Sequence, residues 1–157
     1  PCISSICGTG PDDLWGVGVD GAIVHRSASG WSSVSSPTTV DLRDVHCLSP
    51  TDAWAVGYDY NSSGRDPGAI LHWDGTSWTS KLQAMTCGGA PCSENFWEVW
   101  ASGPNDVWVA GAMLRHWNGT SWELELEGTH TAVKAWGLDA HNVWLMGWGP
   151  GIRRLVD

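Results

Sequence analysis

"LHWDGTSW", Leu71 to Trp78, returns as "RHWNGTSW" at Arg115 to Trp122. Each copy carries two tryptophans around a short polar centre, the pattern of two strands joined by a tight turn. Asp74-Gly75 and Asn118-Gly119 are the residue pairs that tolerate the positive φ of a hairpin turn. A chain that repeats a hairpin is repeating the unit that contains it.

Working outward, a second phrase recurs upstream. "DDLWGVG" (Asp12 to Gly18), "TDAWAVG" (Thr51 to Gly57), "NDVWVAG" (Asn105 to Gly111) and "HNVWLMG" (His141 to Gly147) are four versions of one segment. Their tryptophans, Trp15, Trp54, Trp108 and Trp144, stand 39, 54 and 36 residues apart. Each is preceded by a short apolar run ("ISSICG", "LRDVHCLSP", "FWEVWASGP", "AVKAWGLDA"). Each is followed by another ("GAIVHR", "GAILHW", "AMLRHW", "GIRRLV"), and three units end on "GWSSVS", "TSWTSKL" and "TSWELEL". These read as four strands per unit, rich in Val, Ile and Trp and separated by Gly, Pro, Asp and Ser turns. No window sustains apolar residues at helical spacing.

A period near 40 residues with four strands per repeat is the signature of a β-propeller. The expectation is an all-β chain of about four antiparallel blades, approximately residues 1–37, 38–83, 95–128 and 131–157. The fourth unit stops at "GIRRLVD" with no outer strand, and the chain opens on Pro1 without a Met. The reading is therefore a segment of a larger propeller, or an arc completed by another copy. Trp15, Trp54, Trp108 and Trp144 are expected to be buried on second strands. Trp78 and Trp122 should begin outer strands and cover the gap between blades.

Composition agrees with a packed domain. Hydrophobic residues make up 42% and charged residues 16% of 157, too apolar for a disordered acidic tail. Thirteen Trp stand against one Phe and two Tyr, beside twenty Gly, which favours short strands, tight turns and flat packing residues. The net charge of −9 repels a polyanion, and no basic stripe offsets it, so nucleic acid is excluded as a partner. No apolar run approaches the roughly 18 residues of a membrane-spanning helix.

Five cysteines leave one odd if the rest pair. "CGGAPC" reads as a small loop closed by a Cys87–Cys92 disulfide, since a CxxxxC without a second ligand pair is a poor zinc site. That leans toward an oxidising, extracellular or periplasmic location. Cys47 aligns with Gly8, Ala101 and Gly137 at a crowded inner-strand position and is expected to be a buried free thiol beside Leu48. The pairing of Cys2 and Cys7 stays open.

His25, His72 and His116 fall at one position in three units. One ion cannot be shared by residues a blade apart, so each is expected to hydrogen-bond within its own blade. Asp12, Asp13, Asp52 and Asp106 recur at the first turn, where carboxylates satisfy backbone N–H groups. There is no G-x-S-x-G, H-E-x-x-H or phosphate loop, nor a recognisable arginine cluster with a tyrosine nucleophile. No enzyme is expected, and no cofactor.

The repeat is broken in two places. "YDYNSSGRDP", Tyr58 to Pro67, enlarges the loop between the second and third strands of unit two. "QAMTCGGAPCSEN", Gln83 to Asn95, enlarges the connection from unit two to unit three. In a four-stranded antiparallel blade both loops leave at one end, and loops larger than the scaffold requires are where binding residues sit. Tyr58, Tyr60 and Trp148 are the candidate stacking rings there, with Arg65 and Asp66 as directional hydrogen-bonding groups. Asp59, Asn61 and Ser63 share half the spacing of a calcium loop, but Ile70 stands where its last acidic ligand belongs. The triplets at Asn61 and Asn118 match glycosylation acceptors.

"DLWGVGVDGAIVHRSASGW" is similar to the tectonin-type propeller repeat, and "WDGTSW" resembles the Asp-box hairpin of BNR-type propellers. The whole unit resembles tryptophan-rich propeller repeats of secreted bacterial proteins. The resemblance implies a lectin-like module binding carbohydrate or a cell surface through the insertion face. The second reading is an accessory propeller subunit that scaffolds a protein assembly.

Overall fold

The computed structural model describes residues 1–59, 68–83, 86–87, 90–91, 94–126, 132–147 and 152–155, with the backbone alone for 86, 87, 90, 91, 126, 132, 133, 153 and 155. The first blade is β1 (Ile3–Gly10), β2 (Asp13–Gly18), β3 (Ile23–Ser27) and β4 (Gly30–Val34). The second is β5 (Leu42–Ser49), β6 (Asp52–Tyr58), β7 (Gly68–Trp73) and β8 (Trp78–Ser80). A two-stranded hairpin, β9 (Thr86–Cys87) and β10 (Ala90–Pro91), follows. The third blade is β11 (Phe96–Gly103), β12 (Asp106–Gly111), β13 (Leu114–Trp117) and β14 (Trp122–Leu126). The fourth has three strands, β15 (Ala132–Gly137), β16 (Val143–Gly147) and β17 (Ile152–Leu155). Every sheet pairs consecutive strands antiparallel, so the chain is a β-propeller of about four blades.

Strand alternation explains how one sequence unit builds both sides of a blade. On β6, Ala53 and Ala55 join the apolar cluster containing Trp15 and Val17 of blade one. Trp54 and Val56 point the other way, into the cluster containing Phe96, Val107 and Val109 of blade three. On this strand the small residues face the preceding blade and the large ones the following blade. The Trp15 ring lies 4.7 Å from Trp73 and takes the edge of Trp78 at 5.3 Å. Trp54 meets Trp117 at 6.2 Å and the edge of Trp122 at 6.0 Å. Each aromatic pair adds about 0.5–1.5 kcal/mol beyond the area it buries.

The opening hairpins form as their residues require. Gly75 and Gly119 adopt φ of 91° and 93°. Asp74 Oδ1 accepts bonds from Thr76 Oγ1 at 2.6 Å and from the Thr76 and Ser77 N–H groups at 2.9 Å. Those three donors, the Thr76 hydroxyl foremost, hold the carboxyl at about 2. Asn118 Oδ1 does the same for the Thr120 and Ser121 N–H groups without a charge.

At the inner strands each blade reaches over the next. Cys7 of β1 is disulfide-bonded to Cys47 of β5, so Cys47 is not the expected free thiol. The reason lies in the geometry: neighbouring inner strands bring these two Cα atoms within 5.6 Å although 40 residues separate them. One junction on, the His46 imidazole bonds the Ala101 carbonyl at 3.1 Å. At the third, the Trp100 ring fills the space where a Cβ on Gly137 would stand, 2.6 Å from it. The loop disulfide expected between Cys87 and Cys92 lies outside the described side chains.

His46 gives a pH prediction. Burial lowers its pKa from the ordinary imidazole value, with the Ala101 hydrogen bond and nearby Asp44 opposing. The folded state therefore resists a proton that the unfolded chain accepts near pH 6.5. This contribution to stability is present above that pH and is lost as pH falls below it. The urea midpoint should drop between pH 7.5 and pH 5, and the drop should be smaller in His46→Gln.

A second expectation fails in part. Trp15, Trp54 and Trp108 are buried, but Trp144 is 40% exposed. Its register is the expected one, opposite Trp136 as Trp108 is opposite Trp100. What differs is that no described blade lies against its outer side.

Candidate functional site

The repeated polar residues form a small constellation inside each blade. His25 stacks on Trp15 at 4.2 Å and bonds Asp13 at 2.8 Å. The His72 ring lies tilted against Trp54 at 4.4 Å and bonds Asp52 at 3.0 Å. His116 stacks on Trp108 at 4.1 Å and bonds Asp106 at 2.7 Å. As expected, each histidine serves its own blade. Partial burial of Asp13 would raise its pKa, but hydrogen bonds from Thr9 and His25 outweigh that and hold the carboxyl low. In blade four Arg154 takes the histidine position opposite Trp144, and it donates to Asn142 Oδ1. The device ties strand two to strand three and leaves no imidazole aimed at a cleft.

The insertion face is built from the stems of the two long loops. A Cβ on Gly68, which closes the first insertion, would stand 2.1 Å from the Glu94 carbonyl at the end of the second. The stems thus meet. Tyr58 has its ring 6.5 Å from Trp97, with the Arg43 guanidinium 4.9 Å over it. Arg43 also bonds Asp41 at 3.3 Å, and Asp59 Oδ1 accepts the Asp41 N–H at 2.7 Å. Tyr58 is therefore already covered on one side by a cation, and Asp59 already caps a backbone donor. Tyr60, Asn61, Ser63, Arg65, Asp66 and Trp148 lie outside the described residues.

Two residues here escaped sequence reasoning. Arg43 sits on the inner strand of blade two, and only the fold brings it to Tyr58. Arg115 is fully buried, stacks on Phe96 at 5.0 Å and bonds the Gln83 carbonyl at 3.2 Å. Burial pushes its pKa down, against the charge of Glu94. It anchors the root of the second insertion. For metal, His116, Glu123 and Glu125 each offer an atom within 4.8 Å of the others. The His116 Nε2 is engaged by Asp106, however, and Asn118 donates to Glu123.

The distinctive surface is elsewhere. Among the described residues, all the exposed large apolar side chains belong to blades one and four. Trp136, Trp144, Met146 and Ile152 are exposed on one side of blade four, and Leu138 is exposed just past the end of β15. Register accounts for the shared side: Trp136 pairs with Trp144, and Ile152 with Met146. Val143 and Leu145 alternate with them and face blade three. On the opposite end of the arc, Ile3, Ile6 and Trp31 of blade one are exposed.

No protein-family model matches the chain. No curated protein matches it either. Among solved structures, YCF48 from Cyanidioschyzon merolae is similar at 16% identity and a TM-score of 0.60. That similarity covers 97% of this chain and 55% of that one, so the chain spans about half the length of its structural neighbour. A structure titled YCF48 bound to D1 peptide aligns at 14% identity and a TM-score of 0.37, over 99% of this chain and 78% of that one. The first likeness supports the propeller fold.

Proposed function

We propose that this chain is a non-catalytic propeller element that packs against further polypeptide through the outer face of its fourth blade. It is an accessory or scaffolding element held in an oxidising compartment. The observation that carries the reading is the side of that blade presenting Trp136, Trp144, Met146 and Ile152 to solvent. Contiguous apolar surface of this kind marks protein interaction sites, and aromatic residues and Met are enriched at interface cores. The Cys7–Cys47 bridge favours the compartment.

The carbohydrate reading needs a ring with a free face and polar groups converging beside it. Tyr58 is the one candidate ring whose surroundings are described; Arg43 lies over one of its faces and Trp97 meets it at 6.5 Å in a T-shaped pair. Aliphatic Leu138, Met146 and Ile152 on blade four offer a sugar no hydrogen bonds.

The test places a photo-reactive benzoyl side chain at Trp136, with a control at exposed Thr79, in extract from the native source. The expected result is a polypeptide adduct at position 136 that position 79 does not give. A silent position 136, with glycan-array binding lost on Tyr58→Ala, would return the function to carbohydrate.

A further inference from the structure

We infer that His116, Glu123 and Glu125, on the outer half of blade three, form a binding site for one divalent cation of the zinc type. All three belong to one blade and none contributes to the exposed apolar side of blade four, so the site stands apart from the protein-binding reading. Each residue offers one donor atom, and the three atoms lie within 4.8 Å of one another. Zinc bonds of about 2.0–2.2 Å hold donors roughly 3–4 Å apart, so small rotations of two exposed glutamates complete the set.

The repeat supplies the comparison. Blades one, two and three share an aspartate, a histidine and a tryptophan, but differ in what the outer strand sets beside the imidazole. His25 pairs with Ser32 and His72 with Thr79, whereas His116 pairs with Glu123. Directly opposed residues point to the same side of a sheet. The register then slips by one: Arg115 pairs with Leu124 but Leu114 with Leu126, which makes Glu125 an extra residue of the outer strand. An extra residue of this kind bends the strand and re-aims a side chain. Blade one passes the same point without a slip, pairing Val24 with Ser33 and Ile23 with Val34. Ser32 and Thr79 are both exposed although the blade after each has its outer strand, so this position is open at complete junctions too.

The hydrogen bonds around the three residues orient donors without using them up. Asp106 Oδ1 accepts from His116 Nε2 at 2.7 Å and from Trp108 Nε1 at 2.9 Å, and Oδ2 accepts the Ser102 hydroxyl. That arrangement keeps the imidazole proton on Nε2 and leaves the Nδ1 lone pair for a metal. A carboxylate behind the far nitrogen is the usual support of a metal-bound histidine. Asn118 donates to Oε1 of Glu123 and leaves Oε2. The two glutamates also gather like charge in a chain whose net charge is −9. Among the described residues, Lys and Arg form ion pairs with Asp12, Asp41 and Glu98, not with Glu123 or Glu125. A bound cation offsets that repulsion. Imidazole suits zinc and its first-row neighbours, whereas magnesium and calcium take oxygen donors.

Calorimetric titration of the untagged chain, with its free thiols alkylated, should show one zinc ion bound per molecule. Glu123→Gln and Glu125→Gln should each weaken that binding about tenfold or more, and the double variant should abolish it. Both side chains are exposed, so the melting temperature without zinc should hold. Nitrogen resonances of the histidine rings give a second readout. Zinc should shift His116 Nδ1 while Nε2 keeps its proton, and His25 and His72, paired with Ser32 and Thr79, should not respond. No uptake, or uptake unchanged in the double variant, overturns the site. Equal shifts at all three histidines, or a calcium response matching that of zinc with His116 unmoved, overturn it as well. None of these results touches the exposed side of blade four, whose test is the adduct at position 136.

Discussion

Trp54→Ala should cost about 3–5 kcal/mol of unfolding free energy, the penalty of emptying a closed aromatic site. Trp54 is 1% exposed, set against the tilted His72 ring of its own blade and walled by Trp117 and Trp122 from the next. Truncation removes all three ring contacts and leaves a cavity between two sheets that cannot both collapse into it. At about 2–4 °C per kcal/mol for a domain of this size, the melting temperature should fall by roughly 6–20 °C. Trp144→Ala is the matched control. It occupies the same position in its blade but is 40% exposed, so truncation should cost clearly less, about 1–2 kcal/mol. Calorimetry of the two variants reads the comparison. Equal losses would mean that Trp144 is as enclosed as Trp54, against the placement described.

Removing the inter-blade disulfide should be the second large effect. Cys7 and Cys47 close a loop spanning 40 residues, which restricts the unfolded chain. The loop-entropy relation gives about 4 kcal/mol for that length. Cys7→Ala with Cys47→Ala should therefore lower stability by roughly 3–4 kcal/mol, measured from denaturant curves in which the slope is free to rise as the unfolded chain expands. The loss falls on the junction of blades one and two, since the other inner-strand contacts are the His46 hydrogen bond and the Trp100 packing. Hydrogen exchange should accelerate most in β1 and β5.

What the sequence makes legible is what local chemistry decides. Asp74-Gly75 and Asn118-Gly119 are hairpin turns because a side chain and a positive φ settle the matter within four residues. The four second-strand tryptophans announce the blades because burial recurs with the repeat. Residues that act across a junction are harder. Cys47 looks like a small buried filler in an alignment of repeats, which compares each residue with its equivalents and not with its spatial neighbour one position off in the preceding blade. Tyr58 looks like a free ring until Arg43, fifteen residues upstream on another strand, is placed over it. Trp144 looks as buried as its equivalents, since a repeat alignment does not say which unit has neighbours on both sides.

The most direct measurement labels all thirteen indoles with 5-fluorotryptophan and follows their resonances against a soluble paramagnetic probe. In dilute monomer, Trp15, Trp54, Trp78, Trp108 and Trp122 should be protected, while Trp31, Trp136 and Trp144 are broadened. On adding the polypeptide captured at position 136, Trp136 and Trp144 should become protected together and the others should not change. If Trp144 is as protected as Trp54 in the dilute protein, or if Trp136 and Trp144 stay open throughout, the exposed fourth-blade face is contradicted.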